Sequence, residues 1–272
     1  MHMQNDPATD LAAQLPRLEA LARQAGDIAM GWFRPGARTT AEVTYKNGGS
    51  PVTEADYAVD RFLHDNIAAI APDAGWLSEE TLDNVARLTR TQLVVVDPID
   101  GTTAFTRGDD RWSVSIALID NGRAVAGVVH APALGRTYAA ALGRGATLNG
   151  APIFVSGRAS LAGARIVAPR PLHPQLEQAG FSIAPRVPSL ALRLAEIAGG
   201  GVDLAVAAPN SRDWDIAAAD VIIREAGGLL TELEGAPLTY NRPRLSRGAL
   251  VAAPKAIHDE SLALARRATK DL

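Results

Sequence analysis

The chain has 272 residues, 47% hydrophobic, 21% charged and 5% aromatic, the make-up of a globular protein with a sizeable core rather than of a fibre or a disordered tail. Its formal charge of -3 argues against a nucleic-acid binder, whose affinity would rest on clustered Lys and Arg. With no cysteine, disulfides, zinc-thiolate centres and thiolate nucleophiles are excluded as well. No apolar run approaches the roughly 18 residues of a membrane span, and a cytoplasmic setting is expected.

Residues 1–8 read as a mobile start. Leu11, Leu15, Leu18, Leu21, Ala25, Ile28 and Trp32 then recur at three- and four-residue steps and predict one amphipathic helix, opened or kinked by Pro16. Lys46-Asn47-Gly48-Gly49-Ser50-Pro51 reads as a loop. A second helix follows with Thr53 as its N-cap and a stripe of Val59, Leu63, Ile67 and Ile70. Leu93 to Val96 predicts a buried strand that stops at Pro98. Asp120-Asn121-Gly122, between apolar runs from Trp112 to Ile119 and from Arg123 to His130, predicts a hairpin.

Further on the pattern alternates. Strands are expected near Arg165–Ala168, Leu204–Ala207, Leu229–Thr231 and Leu250–Ala252, and helices near Leu190–Ala198, Trp214–Ala226 and Ala256–Ala268. The helix at Trp214 is expected to stop at Gly227-Gly228. A weakly marked boundary near residues 145–160 divides the chain into an N-terminal subdomain, 9–150, and a C-terminal one, 151–272.

Asp97-Pro98-Ile99-Asp100-Gly101-Thr102-Thr103 carries the strongest chemical signal. Two carboxylates three residues apart on a proline-fixed turn converge, and convergent carboxylates stay ionised only with a hard cation between them. The amides of Gly101, Thr102 and Thr103 form an anion-binding concavity. Each acid also has a plainer explanation. Asp97 and Gly101 suit an ordinary turn, Glu79-Glu80 a solvated helix start, Asp56 a capping box after Thr53, and Asp215 a helix cap. Asp56 nevertheless shares the inward register of Val59 and Leu63, and a buried acid requires a partner. The five histidines are scattered and read as surface or structural residues.

Taken together, Ser50-Pro51-Val52-Thr53-Glu54-Ala55-Asp56, Ser78-Glu79-Glu80, Asp97-Pro98-Ile99-Asp100-Gly101-Thr102 and Trp214-Asp215-Ile216-Ala217-Ala218 resemble the inositol monophosphatase superfamily in order and spacing. The resemblance implies an α+β fold, a layered αβαβα sandwich of the inositol monophosphatase and fructose-1,6-bisphosphatase type. It implies a homodimer that hydrolyses a phosphate monoester of a small metabolite with metal-activated water, two to three Mg2+ ions per site and inhibition by lithium.

Carried over residue by residue, it makes Glu79, Asp97 and the Ile99 carbonyl ligands of one ion, and Asp97, Asp100 and Asp215 ligands of a second. Asp56 and Glu79 would hold a third through water. Thr102 paired with Asp56 would activate the attacking water, while Gly101, Thr102, Thr103 and Asp215 bind the substrate. Lys46 lies near the site by the same resemblance, and Arg193, Asn210, Arg212 and Asp213 are candidates to face the leaving group.

The chain departs from inositol-specific relatives at Ala208, where they carry a glutamate, and in Ala104-Phe105-Thr106-Arg107-Gly108. Ser50 to Thr53 look closer to the bisphosphate nucleotidase and histidinol-phosphate phosphatase branches, and Asp213 before Trp214 resembles the nucleotidases. Those two substrates are therefore the alternative, and a regulatory partner-binding protein is the alternative outside enzymology.

Overall fold

The computed structural model describes residues 7–46 and 48–268. Most of the expected mobile start, together with His2 and Asn47, lies outside these residues. The single amphipathic helix predicted at the start is two helices, α1 (Pro7–Ala12) and α2 (Leu15–Met30). Pro16 opens the second, since a proline in the first turn forfeits an amide that would have no intrahelical acceptor. The glycine loop is the turn of a short hairpin joining β1 (Val43–Tyr45) to β2 (Pro51–Thr53), with Pro51 already inside the second strand.

Thr53 caps α3 (Glu54–Ile67) in a reciprocal capping box with Asp56. There follow β3 (Gly75–Ser78), β4 (Gln92–Asp100), α4 (Thr102–Arg107), β5 (Ser113–Asp120), β6 (Arg123–Ala131), β7 (Arg136–Ala141), β8 (Ala146–Leu148) and β9 (Ala151–Ile153). The strands β3 to β9 form one seven-stranded sheet in chain order, antiparallel except for β3 with β4. As the Asn-Gly pair predicts, β5 and β6 meet in a two-residue turn with both Asn121 and Gly122 at positive φ.

The rest of the chain comprises β10 (Arg165–Val167), α5 (His173–Gln178), β11 (Ser182–Ile183), α6 (Leu190–Ala198), β12 (Leu204–Ala207), α7 (Asp213–Glu225), β13 (Gly228–Glu232), β14 (Leu250–Pro254) and α8 (His258–Ala268). A second, mixed sheet has the order β11-β10-β12-β14-β13.

Strand alternation then builds the layers, because successive side chains point to opposite faces. In β4, Val94 and Val96 share a core with α2 and α3, while Leu93 and Val95 share another with α6 and α7. In the second sheet, Ala205 and Ala252 face α6 and α7, whereas Leu204, Val206 and Val251 face α5 and α8. The result is the layered α+β sandwich αβαβα. With both faces of both sheets covered, the strands read as unbroken apolar runs rather than as alternation.

The central helix α7 fits closely. A Cβ added at Gly127 of β6 would stand 2.8 Å from both the Cα and the carbonyl oxygen of Ala218, so glycine on the strand and alanine on the helix are what allow the approach. No described helix is long and apolar enough to cross a membrane.

Candidate active site

The strand predicted to stop at Pro98 instead continues to Asp100 through an irregularity. Asp97 pairs with Ser115 and Asp100 with Ser113, so Pro98 and Ile99 form a bulge where a missing amide costs no ladder bond. The bulge turns both acids toward one end of the sheet. Glu79 arrives by register and not as a helix start. Ser78 pairs with Val96 in parallel, so the next residues, Glu79 and Asp97, lie side by side, with the Glu79 amide bonded to the Val96 carbonyl at 3.2 Å.

Two buried serines of β5 seat the helices that complete the site. Ser115, opposite Asp97, donates to the Trp214 carbonyl at 3.2 Å and so fixes the start of α7, which carries Asp215. Ser113, opposite Asp100, lies 3.0 Å from the hydroxyl of Ser189, the N-cap of α6. Ser189 in turn donates to Asp100 at 2.6 Å, as does the Ala191 amide. Reading the sequence missed both serines and Ser189, although Ser189 stands where an N-cap is expected, immediately before the apolar run of α6.

Carboxylate oxygens of Glu79, Asp97 and Asp215 all lie within 4.8 Å of one another. Burial, then the charges of Glu79, Asp100 and Asp215, push the Asp97 carboxyl well above its usual range. Burial and then Asp100 do the same to Asp215, and burial lifts Asp100 to about 6 against the hydrogen bonds from Ser189 and Ala191. Anionic oxygens so crowded lower their energy by sharing a cation. Lys46 supplies one from the hairpin, its Nζ 2.8 Å from Glu79 and 2.7 Å from Glu80. Those two bonds outweigh the desolvation of the lysine and raise its pKa.

Asp56 closes the capping box and also meets Thr102. Its Oδ2 accepts from the Thr53 amide and hydroxyl at 2.8 and 2.6 Å, while Oδ1 lies 3.4 Å from the Thr102 hydroxyl. Burial raises its carboxyl to about 6. Thr102 also reaches the Ile99 carbonyl at 3.1 Å. Gly101 adopts φ 93° and opens the single turn and a half of α4, whose first amides, those of Thr102 and Thr103, have no intrahelical acceptor. Glu79, Asp97, Asp100, Gly101, Thr102, Thr103 and Asp215 line one open cavity of about 420 Å3.

Among the residues expected near a leaving group, Arg193 and Asn210 line a neighbouring cavity of about 450 Å3, which shares Arg186 and Pro188 with the first. Asp213 does not face either. It is fully buried and bonded at 2.7 Å to Arg247, itself almost fully buried, so it anchors α7 within the core. Arg212 contributes its amide to Asp215 Oδ2 at 2.7 Å, and its side chain is exposed. The histidines are structural or superficial: His130 is buried against Thr137, His258 against Thr231, and His64 is exposed.

Two layered sheets with an acid cluster and free amides at one sheet end define a layered α+β sandwich of the inositol monophosphatase type. The chain belongs to the inositol monophosphatase family, whose profile matches residues 11–270. It is 30% identical over 241 residues to the 3'(2'),5'-bisphosphate nucleotidase CysQ of Aggregatibacter actinomycetemcomitans, covering 82% of this chain and 85% of that one. It is 36% identical over 226 residues to the histidinol-phosphatase of Mycobacterium tuberculosis, covering 78% and 84%. Among solved structures, the Thermotoga maritima IMPase superposes with a TM-score of 0.80 at 30% identity over 95% of this chain and 99% of that one.

Proposed function

We propose that the protein hydrolyses a phosphate monoester of a small metabolite, as an inositol monophosphatase-like enzyme that requires Mg2+. The observation that carries this reading is the convergence of Glu79, Asp97 and Asp215 within 4.8 Å, beside the free amides of Thr102 and Thr103 in the same cavity. Oxygen donors alone, crowded and repelling, suit a hard divalent ion. Glu79, Asp97, Asp100, Asp215 and the Ile99 carbonyl would hold it. When bound, Mg2+ supplies positive charge to the phosphoryl oxygens and acidifies a water.

The chain's own groups do the rest. The amides of Thr102 and Thr103 orient the phosphoryl group and stabilise charge on its oxygens. Thr102 stands between the site and Asp56, so its hydroxyl takes a proton from the attacking water as it passes its own to Asp56 Oδ1. Asp56 keeps its orientation throughout because Thr53 holds the other oxygen twice.

A second reading concerns the leaving group. Ala208, which lines the neighbouring cavity where inositol-specific relatives are expected to carry a glutamate, supports the substrate of a bisphosphate nucleotidase or of a histidinol-phosphatase, both named among the relatives, over inositol phosphate. Phosphate release from inositol 1-phosphate, adenosine 3',5'-bisphosphate, fructose 1,6-bisphosphate and histidinol phosphate, compared by kcat/KM with Mg2+, decides between them. Uniformly feeble rates would favour a regulatory binding role.

The metal assignment has its own test. Asp100→Asn and Asp215→Asn keep an oxygen to accept from Ser189 and Ala191, or from the Arg212 amide, so both variants fold. Each is expected to lose Mg2+-dependent phosphate release and the rise in Tm that Mg2+ gives the wild type. Undiminished turnover in either would refute the assignment.

A further inference from the structure

Of the three acids that converge, Glu79 has the weakest support of its own. Asp97 accepts from the Ile99 amide at 3.1 Å and Asp215 from the Arg212 amide at 2.7 Å, whereas the Glu79 carboxylate has no backbone donor among the described residues and is bonded to Lys46 alone. Its backbone is no better secured by the sheet. β3 is an edge strand that pairs with β4 only, so one side of the chain at Ser78 and Glu79 has no ladder partner.

Asp60 occupies that open side. It lies one turn beyond Asp56 on α3, a helix seated in the core through the fully buried Val59 and Leu63. One of its carboxylate oxygens accepts from the Ser78 hydroxyl, and the other accepts from the Thr81 hydroxyl at 2.7 Å. A single side chain thus spans the two residues that flank Glu79-Glu80. Each hydroxyl passes the restraint on: Ser78 Oγ accepts from the Glu80 amide at 3.3 Å, and Thr81 Oγ1 from Trp76 Nε1 at 3.3 Å.

This arrangement does not follow from the needs of α3. Asp60 is only 9% exposed, and its carboxylate makes no ion pair within 4 Å among the described residues. Thr53 and Asp56 already cap the helix. A carboxylate withdrawn from water without a cation is costly, and two hydroxyl donors are all that offset it here.

We infer that Asp60 is a positioning residue for the metal-type site: through Ser78 and Thr81 it sets where Glu79 stands relative to Asp97 and Asp215, and with that the affinity for the divalent ion. This rests on the Mg2+-dependent reading above and deepens it. α3 then serves the site at two levels one turn apart, with Asp56 directed to Thr102 and Asp60 to the segment that carries Glu79.

Calorimetric titration of Mg2+ into the substrate-free protein reads the site without catalysis. Groups that orient metal ligands are worth about 10–100-fold in metal affinity. Asp60→Ala is therefore expected to weaken Mg2+ binding by about tenfold or more, and Thr81→Val, which removes one of the two bonds, by about threefold. Thr81→Ser keeps the hydroxyl and is expected to match the wild type. In phosphate release, the half-activating Mg2+ concentration should rise by the same factors, while kcat and KM at saturating Mg2+ return to wild-type values. Thr81 is exposed, so its variants keep the test sound if Asp60→Ala folds poorly.

A lower Tm in EDTA with Mg2+ affinity unchanged in Asp60→Ala and Thr81→Val would make Asp60 a purely structural clamp and overturn the positioning role. Equal losses of affinity in Thr81→Ser and Thr81→Val would overturn it as well. If the wild type binds Mg2+ but hydrolyses no phosphate ester, the phosphatase reading fails and the titration still decides the role of Asp60. A wild type that binds no Mg2+ overturns both.

Discussion

Replacing Arg247 by methionine isolates the charge that Asp213 holds in the core. The side chains of the pair are 1% and 0% exposed, and Arg247 donates from Nε to Asp213 Oδ1 at 2.7 Å, while a terminal nitrogen lies 2.7 Å from the same oxygen and donates to the Thr239 carbonyl at 2.7 Å. Methionine refills most of the volume but leaves a buried carboxylate alone, and breaking a buried pair in this way costs about 3–5 kcal/mol. Proton uptake sets a ceiling on the charge part. Moving from an unfolded pKa of ~3.9 to a neutral buried acid costs ~1.36 kcal/mol per pH unit, hence ~4 kcal/mol at pH 7 and ~1.5 kcal/mol at pH 5.

The sign follows from linkage. In the variant the folded carboxyl binds its proton more tightly than the unfolded one, so stability relative to wild type falls as pH rises above ~3.9 and recovers on acidification. Urea unfolding at pH 7 and pH 5 is expected to show a loss near 4 kcal/mol shrinking toward 2 kcal/mol, and Asp213→Asn/Arg247→Met is expected to regain at least ~2 kcal/mol at pH 7. A loss below ~1 kcal/mol at pH 7, or a double variant no more stable than the single, would show that the pair is not the buried anchor described.

Gly127→Ala forces a methyl group against the backbone of Ala218, which cannot rotate away, so thermal unfolding should reveal a cost of ~2–3 kcal/mol, or roughly 4–12 °C in Tm. Gly157→Ala, with open space around it, is the control, and equal effects of the two would refute the contact. His130, buried and depressed to about 4, stays neutral in the fold while the unfolded chain protonates near ~6.5. Stability is therefore lost as pH falls from ~6.5 to ~4, by up to ~3 kcal/mol, and His130→Gln should flatten that part of the pH profile. Parallel profiles for wild type and variant would contradict this.

Local signals in the sequence proved reliable where one residue type determines one geometry. Thr53 with Asp56 defines the start of α3, and Asn121-Gly122 a hairpin of fixed register. The strand through Pro98 was misread because a bulge removes the proline's usual penalty, and that depends on Ser113 and Ser115 in the facing strand. Long-range pairing was invisible for the same reason. Nothing local reveals that Ser78 lies beside Val96, which is what brings Glu79 to Asp97. Asp213 was expected beside the leaving group, yet it stands two positions from Asp215 in α7, and helix positions two apart point about 200° apart, one to the core and one to the site.

The seating of α7 bears on how the chain reaches its fold. Gly127 and Ala218 are distant in sequence, and α7 covers the inner face of the first sheet while also packing on the second. A growing chain that has completed β9 thus still exposes Leu93, Val95, Ala117 and Ile119 to water. Until α7 is made, that face is an adhesive surface for chaperones or for other nascent chains. Asp215 arrives on the same helix that covers it, so the acid cluster is completed and the exposed face is buried in one step.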